Sequence, residues 1–85
     1  MKDNQMTRLF ESEQIRQANI RYVLQTVMTA LSERGYDPVT QIVGYLITND
    51  PAYISSYNNA RTLIQTVERD DILKEIVRSY LLSNE

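Results

Sequence analysis

With 85 residues the chain supports one small domain, and Lys+Arg 9 against Asp+Glu 11 leaves a net charge of -2, which argues against a fold built to neutralise phosphates. It contains Cys 0 and His 0, so Cys/His zinc sites, thiol nucleophiles, redox pairs and Ser-His or Cys-His catalytic arrangements are excluded. A chain this short buries roughly 60 to 65% of its extended surface on folding, so a partner subunit would help to stabilise it.

Residues 1–13 mix charges and amides with only Met6, Leu9 and Phe10 as sizeable apolar groups, which fits neither a signal peptide nor an amphipathic targeting helix. They read as a loose N-terminal tail, and the protein reads as cytoplasmic. Residues 14–85 read as a single helical domain, with no run apolar enough for membrane insertion. From Gln14 onward, Ile20, Val23, Leu24, Val27, Met28, Ala30 and Leu31 recur at spacings of three and four, which predicts an amphipathic helix. Gly35 can take the left-handed conformation that ends it, with Arg34 favourably placed at the negative helix end.

Asp37-Pro38 supplies an N-cap and a pre-set first helical residue for a second helix. That segment carries Val39, Ile42, Val43, Leu46 and Ile47, and its β-branched content also suits a buried strand. Helix is preferred, because a strand here would find no pairing partner except its own copy across a two-fold axis. Being apolar on more than one face, the element can serve both the core and a homodimer contact. Asn49-Asp50-Pro51 is a stop-and-turn cluster that opens a short extra turn with Tyr53 and Ile54, and Ser55 to Asn59 reads as loop. Ala60, Leu63, Ile64 and Val67 form a third stripe, and Ile72, Leu73, Ile76, Val77, Tyr80 and Leu81 a fourth, capped by Asp70 or Asp71. The expected fold is all-α, with four main helices.

Glu68, Asp70 and Asp71 form the one carboxylate cluster that catalysis or a divalent metal could use, yet they fall at a helix start with Arg69 among them. Capping and solvation account for them, and no cofactor or enzyme activity is expected. Gly35 and Gly44 are too isolated for a phosphate-cradling loop and read as punctuation. Arg61, Arg69 and Arg78 suit surface salt bridges, while the first two could also meet a phosphate. Tyr22, Tyr45 and Tyr80 fit helical core edges with their hydroxyls reaching water, and Tyr36, Tyr53 and Tyr57 fall in turns. A small helical nucleic-acid-binding regulator is the alternative function class, although no basic recognition helix supports it and no nucleic-acid partner is expected.

The stretch Gly35-Tyr36-Asp37-Pro38-Val39-Thr40-Gln41-Ile42-Val43-Gly44-Tyr45-Leu46, with Asp50-Pro51-Ala52-Tyr53-Ile54, Ala60-Arg61 and Glu68-Arg69-Asp70, resembles the IreB/ReoM family of small regulatory phosphoproteins of Gram-positive bacteria. The resemblance implies an all-helical, non-enzymatic homodimer whose N-terminus is phosphorylated on threonine by a PASTA-domain Ser/Thr kinase and restored by its phosphatase. It further implies a part in peptidoglycan synthesis and in β-lactam (cephalosporin) tolerance. In some relatives the unphosphorylated protein promotes degradation of MurA by the ClpCP protease. The phosphoacceptor matches Thr7 in the arrangement Thr7-x-x-Phe10, whereas Asn4 stands where some relatives carry a second acceptor. Arg61 and Arg69 are retained from a basic surface that in many relatives also includes positions matching Ser56, Gln65 and Thr66.

Overall fold

The computed structural model describes residues 3–83, and side chains from Met6 to Ser83. Among the described residues there are four α-helices and no strand: α1 (Asp3–Glu33), α2 (Pro38–Thr48), α3 (Ala60–Ile64) and α4 (Arg69–Ser83), with 3-10 turns at Pro51–Tyr53 and Tyr57–Asn59. The segment 38–48 is thus a helix, as its Asp-Pro start indicated.

The first helix corrects the expected boundary. It runs unbroken from Asp3 where a loose tail was expected up to residue 13, because this stretch holds no Gly or Pro and is rich in good helix formers such as Met6, Arg8, Leu9 and Glu11. A helix needs only its own hydrogen bonds, whereas apolar patterning reports what it packs against. Every side chain from Met6 to Arg16 is exposed, and Arg16 is already tied to α4 through Asp71. At the other end Gly35 adopts φ +81, and the Tyr36 amide bonds back to the Leu31 carbonyl at 2.9 Å, closing the helix as expected.

The core consists of Ile20, Val23, Val27, Ala30 and Leu31 from α1, Ile42 and Tyr45 from α2, Ile54 from the linker, Ala60 and Ile64 from α3, and Ile72 from α4. α3 packs closely on α1, and α2 turns back along α1 through the short connection at 34–37. α4 lies beside α1 and runs in the same direction, since Arg16 meets Asp71 at 2.9 Å and, further along both helices, Arg21 meets Glu75 at 3.3 Å.

Local chemistry sets the turns. Asp37 does not cap α2 with its side chain; its carboxylate accepts the Thr40 hydroxyl at 2.6 Å, which is the main reason its pKa lies below the ordinary value. Asn49 ends α2 in the left-handed region at φ 59, its amide bonded to the Tyr45 carbonyl at 2.7 Å. Asp50 caps the next turn, its carboxylate accepting the Ala52 amide at 3.0 Å. The stretch read as loop contains a 3-10 turn, which Asn58 and Asn59 enter with positive φ. α4 starts at Arg69, ahead of the expected Asp70 or Asp71 cap: the Ile72 amide closes the first turn on the Glu68 carbonyl at 3.1 Å. Asp70 and Asp71 therefore lie inside the first turn, where the helix dipole favours their charge.

Gly44 is not punctuation, because it sits within α2. A Cβ there would collide with the Tyr53 ring, so the glycine lets the 3-10 turn press flat on the helix. Gly44→Ala is accordingly expected to destabilise by about 1 to 3 kcal/mol, despite alanine's better helix propensity. Urea unfolding checks the sign; a more stable variant would show that the ring moves aside at little cost.

Candidate functional site

Thr7 lies on the exposed start of α1, one turn before the exposed Phe10. Asn4 falls outside the residues whose side chains are described.

Arg61 and Arg69 have structural duties that the sequence did not announce. Arg61 donates its Nε–H to the Ile54 carbonyl at 2.9 Å, and Arg69 donates from Nη1 to the Leu46 carbonyl at 2.9 Å, one of the last carbonyls of α2. Each thus ties a later helix to an earlier backbone end and retains further N–H groups for an anion. Of the three arginines assigned to salt bridges, Arg78 makes one, to Glu75 at 3.6 Å. The acidic group is shared out likewise: Asp71 pairs with Arg16 at 2.9 Å, and Asp70 faces Lys74 at 3.9 Å. Basic side chains have drawn these carboxylates apart in role.

The five residues proposed as a core and dimer element divide by face. Ile42 is buried and Leu46 half-buried, whereas Val39, Val43 and Ile47 are exposed, Ile47 to 76%. A groove of about 250 Å³ lies between α1, α2 and α4, its walls including Leu24, Met28, Val39, Ile42, Val43 and Ile76. On α4, Leu73, Val77, Tyr80 and Leu81 are exposed as well. Tyr22 and Tyr80 therefore stand on open surface, each 63% exposed, while Tyr45 is buried instead of reaching water. Helical spacing marks a face as apolar without saying whether it meets the same chain or another.

Next to the groove, Glu75 is the buried charged residue of the structure's described part. Its Oε2 accepts from Arg21 at 3.3 Å and from Ser79 at 3.2 Å, while Oε1 faces Arg78 Nε. Sequence reasoning passed over it, since Glu on an amphipathic helix normally marks the wet side. The signal that could have found it is its place in the row with Ile72, three residues before it.

A family model described as IreB regulatory phosphoprotein matches residues 5–82. The chain belongs to this family. The match covers Thr7, all four helices nearly to their ends, and the groove, so the exposed threonine and the apolar face belong to one family domain. No described helix is long and apolar enough to cross a membrane.

Proposed function

We propose that this IreB-family protein is a non-enzymatic cytoplasmic switch, phosphorylated on Thr7 by a PASTA-domain Ser/Thr kinase and reset by its phosphatase. The observation that supports this reading most directly is the exposed Thr7 near the start of α1, inside the stretch that matches the family. A phosphate there adds about -1.5 to -2 charge at pH 7, enough to change how the body meets a partner. In this reading the protein is a homodimer that uses Val39, Val43 and Ile47 in its contact, and Arg61 and Arg69 offer their remaining donors to the phosphate or to an acidic partner. Its output is control of peptidoglycan synthesis and β-lactam (cephalosporin) tolerance through ClpCP-dependent turnover of MurA.

Phosphosite mapping by mass spectrometry after incubation with such a kinase tests the switch. Modification confined to Thr7 and abolished in Thr7→Ala is the expected result. No modification, or modification spread over Thr26, Thr29 and Thr62, would remove Thr7 from this role.

A further inference from the structure

Arg61 and Arg69 hang from two carbonyls of one unit of the fold, α2 together with the 3-10 turn that follows it. Arg69 holds the Leu46 carbonyl near the end of α2, and Arg61 holds the Ile54 carbonyl just past the turn. The direction of Arg61 therefore depends on how firmly that turn is fastened to α2. Two contacts fasten it. Gln41, half-buried on α2, donates from its side-chain amide to the Tyr53 carbonyl at 2.8 Å, and the Tyr53 ring lies flat against Gly44. The Tyr53–Ile54 peptide is consequently held at both ends of its plane, its carbonyl by Gln41 and its N–H by the Pro51 carbonyl at 3.0 Å. The next carbonyl along the chain is the one that receives Arg61 Nε.

We propose that Gln41 is a positioning residue for Arg61: by holding the Tyr53–Ile54 peptide against α2 it fixes the Ile54 carbonyl, and through that carbonyl the direction in which Arg61 meets a phosphate. With Nε–H engaged, the Nη1 and Nη2 end of the guanidinium is the part left to grip two oxygens of the anion at once. A guanidinium already set in this way loses less side-chain freedom on binding than one that must first be ordered. Gln41 touches neither the anion nor Arg61 in this arrangement and acts through the turn alone. The proposal rests on the reading above in which Arg61 and Arg69 meet the phosphate of Thr7, and it adds what orients the first of them.

The Nε–H group of Arg61 gives a proton NMR signal, assigned by its loss in Arg61→Lys, whose position reports the hydrogen bond to Ile54. Gln41→Met keeps the side-chain length and removes the donor. In that variant the signal is expected to move toward the position of a solvent-exposed arginine. Affinity for a synthetic peptide of residues 3–12 phosphorylated on Thr7 is expected to fall by about two- to tenfold, the worth of one pre-ordered side chain. Ile20→Val, a truncation in the core of α1, is expected to leave both readings where they were, because a chain that is less stable but still folded keeps its turn. An unmoved signal with unchanged peptide affinity in Gln41→Met would overturn the positioning role and leave the phosphate reading standing. An unmodified chain that binds the phosphopeptide no better than the same peptide without phosphate would overturn the phosphate reading, and the role with it.

Discussion

Ile54→Ala is expected to destabilise the protein by about 2 to 5 kcal/mol. The residue is 0% exposed although it lies in a connection, between the 3-10 turn at Pro51–Tyr53 and the second turn at Tyr57–Asn59. Its side chain fills the core, its amide bonds to Pro51 and its carbonyl receives Arg61, so the space left by truncation has little freedom to collapse. For a domain of this size total stability is of order 4 to 13 kcal/mol, which makes the loss a large fraction of the whole. Urea denaturation with Ile15→Ala as the comparison reads it out, because Ile15 is 70% exposed and its truncation should change stability by no more than about 0.5 kcal/mol. Similar midpoints for the two variants would mean that Ile54 is not the plug the structure shows.

The second large effect is expected at Glu75. Its side chain is 4% exposed, while those of Arg21 and Arg78 are 54% and 41% exposed. Removing the carboxylate costs packing and leaves the buried Nε of Arg78 without its ion-pair partner, but both guanidinium groups can turn partly to water. Glu75→Ala is therefore placed at about 3 kcal/mol, the lower end of the range for breaking a buried pair. The double variant Glu75→Ala with Arg78→Ala should cost less than the sum of the two single changes, since the second truncation no longer orphans anything. Strict additivity in urea unfolding would show that the pair is decorative and that Glu75 acts only through its stem.

Much of the fold is legible in the residues. Spacings of three and four place the helices, Gly35 and Asn49 end two of them, and Asp37-Pro38 decides between helix and strand at 38–48. The start of α1 is less legible, because a helix without an apolar partner leaves no periodic signature except the absence of breakers. The division of Val39, Ile42, Val43, Leu46 and Ile47 into inner and outer faces depends on where α1 and α4 lie, which is tertiary information. The duties of Arg61 and Arg69 are hidden for another reason: a carbonyl acceptor is present at every residue, so no side-chain pattern marks the one that is chosen. Thr7 is legible only through the family resemblance, since composition and spacing do not separate one exposed hydroxyl from another.

The same-direction course of α1 and α4 has a consequence for how the chain folds. The Arg16–Asp71 and Arg21–Glu75 pairs join residues 55 and 54 positions apart, whereas α1 and α2 meet across a connection of only a few residues. Chain-closure entropy rises with loop length, by about 0.6 kcal/mol for each doubling, so the α1–α4 contact is the one most opposed by the disorder of the unfolded chain. That opposition is offset by Ile72 in the core and by the charge pairs along the two helices. The Glu75 variants therefore weigh a local ion pair and, with it, the hold on the helix whose docking must wait for the rest of the chain to arrive.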